Sequence, residues 1–354
     1  MKSFRSISAA GMLVFLLSAC GAAEESNEDP AGEEAAPETE EEQKTEPLVV
    51  ATNIFAIEDF ITKIGGEHVE VKNMVPVGAD AHTYEPTIKE ITDLVDTDAF
   101  IYTDGSMEGL NETVIPLLEK EKVQTVDVAE EIERVEYQEF EENNEEDHSH
   151  THSHEHSHEE DEESHSHEHS HDGEEGETTH THSGENPHVW IDPEKSTQIA
   201  DNIEKKLSEL QPENSEQFEN RNEKLQAELS ELDQAFAEQL TELERGSIFV
   251  AHPGYTYWAE SYGFEEVSIT QTVSSSEPSQ KRMQRLIEKA EQDGIEHVAF
   301  EKSYNIGVAE TFAEEINAEA VYLNNLESLH EEDEGEDYFS LMEENLESLE
   351  LLLK

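Results

Sequence analysis

One pattern, present twice in this chain, constrains its fold more than any other feature. Runs rich in β-branched residues at 48–52, 69–75, 99–102 and 123–128 alternate with amphipathic segments at 56–64, 86–95 and 108–121. A second series places strands at 247–251, 266–270, 297–300 and 320–323 among helices at 256–262, 279–293, 307–317 and 336–353. Strands that alternate with helices predict parallel sheets covered by helices. Between the two series lie a helical segment at 193–210 and a longer one at 212–245. In the longer one Phe218, Leu225, Leu229, Leu232, Phe236, Leu240 and Leu243 recur at spacings of three, four and seven, which puts them on one stripe. At ~1.5 Å per residue such a helix is on the order of 45 Å long, enough to cross a small domain. The expected fold is therefore α/β, with two lobes, each a parallel sheet flanked by helices, joined by one long linker helix. Its expected parts are a first lobe at 47–211, the linker helix at 212–245 and a second lobe at 246–354.

The first lobe is interrupted. From 130 to 185 apolar periodicity vanishes and Glu, Asp, Ser and His take over, the composition of a low-complexity insertion. The start of the chain is also not fold. Lys2 and Arg5 precede an apolar stretch at 11–17 that is too short to span a bilayer but suits the core of a signal peptide. Leu17-Ser18-Ala19-Cys20 looks like a bacterial lipoprotein signal at 1–20, which implies cleavage before Cys20 and lipid on its sulfur. Residues 21–46 are Glu, Ala, Pro and Ser with little apolar bulk, read as a disordered acidic tether between membrane and domain. Cys20 is the one cysteine, so the chain has no disulfide framework and no thiolate site in its body. A net charge of -67 excludes nucleic acid as a partner, because phosphates are repelled.

Several side chains able to bind metal stand just beyond the carboxyl ends of predicted strands, the edge where open α/β sheets bind ligands. His82 lies in Gly78-Ala79-Asp80-Ala81-His82-Thr83-Tyr84-Glu85-Pro86, and His188 in Asn186-Pro187-His188-Val189-Trp190-Ile191-Asp192-Pro193. His252 follows the first strand of the second lobe in Phe249-Val250-Ala251-His252-Pro253, and Glu301 ends the strand His297-Val298-Ala299-Phe300-Glu301. With two candidates from each lobe, the four can meet in the cleft between lobes. Imidazole nitrogens and a carboxylate in a tetrahedral set suit Zn2+, and three histidines favour zinc over manganese, which prefers more carboxylate.

These motifs resemble the zinc and manganese solute-binding proteins of bacterial ABC importers, the cluster A-I class, over nearly all of 48–354. The resemblance implies one metal buried between two lobes, with His82 and His188 as ligands of the first and His252 and Glu301 as ligands of the second. In some relatives water takes the fourth place. His252 stands where manganese members commonly carry a carboxylate, which again points to zinc. Asp80, Glu85 and Asp192 are candidate acceptors for the second ring nitrogens, with the assignment open. The implied protein is extracytoplasmic, anchored to the cell membrane by its N-terminal lipid, and monomeric. It captures Zn2+ and passes it to an ABC transporter permease.

Between His148 and His182 the insertion carries twelve histidines: His148, His150, His152, His154, His156, His158, His165, His167, His169, His171, His180 and His182. Such a tract can wrap a metal through alternative pairs, is expected to bind as neutral imidazole and to release near pH ~5–6. Two other function classes fit the sequence less well. A zinc hydrolase needs an open ligand position and a general base, and the chain has no His-Glu-x-x-His, nucleophile elbow or phosphate loop. A metal-dependent surface adhesion protein is the other class, but no adhesive surface is legible; a manganese importer component is the nearest variant of the transport reading.

Overall fold

The computed structural model describes residues 46–103, 108–138, 140, 184–241, 243, 246–270, 278–302 and 307–354. The signal, Cys20, the acidic tether and all twelve tract histidines lie outside the described residues.

The first sheet contains β1 (Leu48–Thr52), β2 (Val69–Asn73), β3 (Ala99–Tyr102) and β4 (Gln124–Asp127) in the order β2-β1-β3-β4. The second contains β5 (Ser247–Val250), β6 (Glu265–Ser268), β7 (His297–Glu301) and β8 (Glu319–Leu323) in the order β6-β5-β7-β8. Every pairing in both is parallel. The helices of the first series are α1 (Phe55–Gly65), α2 (Ile88–Leu94) and α3 (Glu108–Glu121). Two joining helices follow, α4 (Pro193–Leu210) and α5 (Ser215–Leu240), and the second series contributes α6 (Thr256–Tyr262), α7 (Gln280–Asp293), α8 (Gly307–Ile316) and α9 (Tyr338–Leu352). The strand order doubles back in each sheet, so each has a switch point at its carboxyl edge, where the chain leaves a crevice.

The joining helix is shorter than its apolar stripe predicts. Pro212 belongs to a separate 3-10 turn, Pro212–Asn214, and α5 is 26 residues long, about 39 Å at the usual rise. Its buried positions are Phe218, Asn222, Leu225, Leu229, Leu232, Phe236 and Leu240. Asn222 also lies on the stripe, where its side-chain NH2 donates to Asp201 of α4 at 2.7 Å. This helix packs on α4, α1 and α9. One apolar cluster therefore runs from Val50, Phe60 and Trp190 through Leu229 and Phe236 to Tyr257, Trp258 and Leu349. The two sheets share that core, and each also has a cluster of its own, around Ala51, Phe100 and Leu118 in the first and around Phe249, Val298 and Phe312 in the second.

The expected insertion differs at its start. Ile132 is buried and Val135 packs on the shared core. An antiparallel bridge joins Glu136 to Glu185, with Tyr137 N–H donating to Gly184 O at 3.1 Å and Asn186 N–H donating to Val135 O at 2.7 Å. Residues 132–138 are thus a packed stem rather than part of a low-complexity loop. The bridge brings the two ends of the insertion together and leads straight into Asn186 and His188.

Candidate metal centre

Each of the three histidines is placed by a different local device. His82 sits in the loop between β2 and α2. Asp80 closes a turn there by accepting from His82 N–H at 2.9 Å and from the Thr83 hydroxyl at 2.8 Å, the self-bonding turn typical of aspartate. Thr87 then starts α2 with a capping box to Glu90. His188 stands between the stem and a 3-10 turn at Val189–Ile191. Asp192 caps α4 by accepting from Lys195 N–H at 3.0 Å, with Pro193 in the first turn. His252 lies just past the end of β5, in a tight turn where Gly254 N–H donates to His252 O at 3.0 Å. The backbone at Gly254 passes close to both rings: a Cβ would stand 3.3 Å from His252 Cδ2, a tight contact, and 3.7 Å from His188 Cδ2, an ordinary one.

The three rings converge. One ligand nitrogen from each of His82, His188 and His252 falls within 4.8 Å of the others. His188 Nε2 and His252 Nε2 are 3.3 Å apart, about the edge length of a tetrahedron with ~2.0–2.1 Å zinc–nitrogen bonds. Glu327 completes the cluster, with one carboxylate oxygen 3.2 Å from His82 Nε2 and the other 3.0 Å from His188 Nε2. All four side chains are nearly or wholly buried.

Glu301 is placed elsewhere. Its Oε1 accepts from the Tyr255 hydroxyl at 2.8 Å and its Oε2 from Asn325 Nδ2 at 3.1 Å. That same Asn325 amide donates to Glu327 Oε2 at 3.0 Å, and Asn325 Oδ1 accepts from Glu327 N–H at 3.1 Å. Glu301 thus stands two hydrogen bonds, through Asn325, behind the carboxylate that faces the imidazoles. Glu327 escaped the sequence reading because it sits in an acidic stretch with no motif around it. A usable signal was present, since it follows β8 at the same carboxyl edge that yields His252 after β5.

The electrostatics follow from burial. Burial, then the neighbouring His82 and His188, hold the His252 imidazole well below its ordinary value, so it is neutral and able to donate a lone pair. Burial alone would raise Glu327, but the imidazoles of His82 and His188 outweigh it and hold the carboxyl low and ionised. Glu301 is pushed well above the carboxylate range, chiefly by burial and further by the charges of Glu327, Asp80 and Glu266. The two carboxyls have therefore separated into an anion at the cluster and a group favouring its neutral form behind it. Among the second-nitrogen candidates, Asp80 turns the His82 backbone and Asp192 caps α4. Asn186 is the acceptor at His188, 2.6 Å from Nδ1.

An α/β pair of lobes with a buried cluster of three imidazoles and one carboxylate at their shared edge is a candidate metal centre. The profile of the ZnuA family, zinc-uptake complex component A, periplasmic, matches residues 49–351, and the chain belongs to that family. The zinc-binding protein AdcA of Streptococcus pyogenes is 32% identical over 304 residues, which cover 85% of this chain and 55% of AdcA. The chain thus spans about half the length of that relative. The high-affinity zinc uptake system protein ZnuA of Bacillus subtilis is 29% identical over 88% of this chain and 90% of its own. Among solved structures, the Zn(II)-bound ZnuA-like domain of Streptococcus pneumoniae AdcA superposes with a TM-score of 0.65 at 26% identity, covering 87% of this chain and 99% of that one.

Proposed function

We propose that this protein captures Zn2+ between its lobes through His82, His188, His252 and Glu327, and delivers it to the permease of an ABC importer. The observation that carries this reading is the convergence of three buried imidazole nitrogens on one carboxylate. Three neutral nitrogens and one anionic oxygen suit zinc, whereas manganese prefers a more oxygen-rich set. Zinc named in the relatives and in the Zn(II)-bound neighbour supports the same ion.

In this reading the protein is held outside the cytoplasm by lipid on Cys20 and acts as a monomer. The twelve-histidine tract gathers zinc on weak, exchanging sites and the cluster retains it. Zinc entering the cluster exchanges its water shell for three imidazoles and one carboxylate, and Glu301 supports the fourth ligand rather than serving as it.

The test is a zinc titration against a competing chelator, on the chain from 21 onward with residues 141–182 removed. One tight site is expected, weakened by more than about a hundredfold in His188→Ala, because losing a ligand should exceed the ~10–100-fold cost of losing a supporting partner. A chain without any tight site after removal of 141–182 would place the affinity in the tract and end this reading.

A further inference from the structure

The packed stem begins in the first lobe and ends on the second. Ile132 is buried in the shared core and Val135 packs on it. Past the bridge to Glu185 the chain reaches β6, the edge strand of the second sheet. Glu265 N–H donates to Gly246 O on the β5 side at 3.0 Å, so the next N–H, that of Glu266, points to the free edge. There it donates to the Gln138 side-chain carbonyl at 2.8 Å. Beyond Gln138, Phe140 packs on the second lobe's own apolar cluster, as Met283 and Ile287 of α7 do. The Arg282 guanidinium stands 5.7 Å from the centre of the Phe140 ring, a cation–π contact. Arg282 is itself buried and donates from Nη2 to Ser268 O, at the end of β6, at 2.9 Å. Among the described residues, every other side chain of that cluster comes from 249–318.

Each end of the stem is fastened to a segment that bears an imidazole of the cluster. On one side Val135 O accepts from Asn186 N–H at 2.7 Å, and Asn186 Oδ1 accepts from His188 N–H at 3.0 Å. On the other side Gln138 holds the backbone of Glu266. The Glu266 carboxylate accepts from Tyr255 N–H at 2.9 Å and from the Thr256 hydroxyl, which fixes the chain just after His252.

We propose that the stem, together with Phe140, is an interlobe strap: its second-lobe anchors, Gln138 and Phe140, are positioning residues that hold the His188 segment against the His252 turn and so set how fast zinc leaves the cluster. Escape of a buried ion needs a local opening of the segments that enclose it. A strap fastened at one end in the shared core and at the other in the second lobe's cluster has to detach before these two segments part. Its second-lobe end is the weaker, since Gln138 and Phe140 are half-buried while Ile132 is buried. Contacts of this kind act on the rate of escape more than on the rate of capture.

The proposal rests on the zinc reading, and the test separates the two. The full chain is loaded with Zn2+, mixed with excess chelator, and the rate of zinc loss is followed. The slow phase that His188→Ala removes reports the cluster. Amide exchange of the metal-free chain is measured alongside, at Asn186 and Glu266, whose N–H groups the strap itself accepts. In Phe140→Ala we expect the slow phase to quicken about fivefold, with faster exchange at both amides. Phe140→Leu, which refills the cluster, restores both readings. Ile287→Ala removes bulk from the same cluster without touching the strap, and is expected to lower the melting temperature while the slow phase stays as in wild type. An unchanged slow phase in Phe140→Ala, or an equal quickening in Ile287→Ala, would overturn the strap. If the slow phase survived in His188→Ala, the zinc reading would fall. The amides would still decide the strap, since unchanged exchange at Asn186 and Glu266 in Phe140→Ala overturns it without reference to metal.

Discussion

The two lobes have the same strand order yet hold the side chains of the cluster differently. In the second lobe the clustered side chains sit close to strand ends: His252 just past β5 and Glu327 shortly after β8. Their neighbours Tyr255, Glu266, Glu301 and Asn325 come from the same lobe and hydrogen-bond one another or the cluster. In the first lobe His82 and His188 ride on loops, and much of what fixes those loops comes from the opposite lobe. Gly78 N–H donates to Leu329 O at 2.8 Å and the Ser328 hydroxyl to Ala79 O at 2.7 Å. Trp190 Nε1 donates to Asn325 O at 2.8 Å, Tyr257 Oη to Asn186 O at 2.7 Å, and Trp258 Nε1 to Ile191 O at 2.6 Å. The second lobe is thus a preorganised half-site, and the first contributes loops that are laced onto it. Lacing of this kind, with a shared core beneath it, opposes wide hinge opening.

The largest expected effect concerns which carboxylate faces the metal. Glu327→Gln should weaken zinc by about ten- to a hundredfold or more, and Glu301→Gln by clearly less, since Glu301 acts through Asn325. Equal losses in a chelator competition, or a larger loss in Glu301→Gln, would return the ligand role to Glu301 and undo the contrast between a ligand and its support.

The lacing itself comes next. Trp258→Phe keeps most of the apolar volume but leaves the buried Ile191 carbonyl without its indole donor, at a cost of about 1–3 kcal/mol. Denaturant midpoints of the metal-free protein measure this. A midpoint equal to wild type would mean that the interlobe bonds do not hold the first-lobe loops.

The smallest effect is a pH dependence. The folded chain resists protonating His252, whereas the unfolded chain takes up that proton near the ordinary value of 6.5. A depressed folded-state value means that the stability contribution is present above 6.5 and is lost as pH falls below it. Each pH unit below that point costs up to about 1.4 kcal/mol while only the unfolded form is protonated. Glu301, held high, opposes this by favouring the folded state as pH falls. The comparison is therefore with His252→Asn: melting temperature of the metal-free protein against pH, from about 8 to 5.5, should fall less steeply in the variant. Parallel curves would show that His252 is not held neutral by the site.

Much of the fold was legible because it depends on local chemistry. Pro193 with Asp192 before it, and Gly263 and Gly294 after their helices, mark α4, α6 and α7 to within a residue. The heptad-like stripe of α5 was visible, but its first turn was not, because Pro212 forms a 3-10 turn that apolar spacing does not distinguish from helix. The stem at 132–138 was missed for a related reason: Ile132 and Val135 are isolated apolar residues among acids, and only packing on the shared core makes them structural.

The sequence by itself determined the two βα series, the stripe that joins them and the three histidines, because periodicity, caps and position after a strand are properties of short segments. The tertiary structure decided the fourth partner and the closure of the site. No side chain caps α1; its first N–H groups, from Phe55 and Ala56, donate to the carbonyls of Glu327 and Leu326 in the other lobe at 2.8 and 3.1 Å. Leu326 adopts a left-handed φ of 61° to present them. Glu327 is thereby held at the imidazoles by a helix nearly the whole chain away. No local pattern encodes that contact, since it is set by where the two lobes meet.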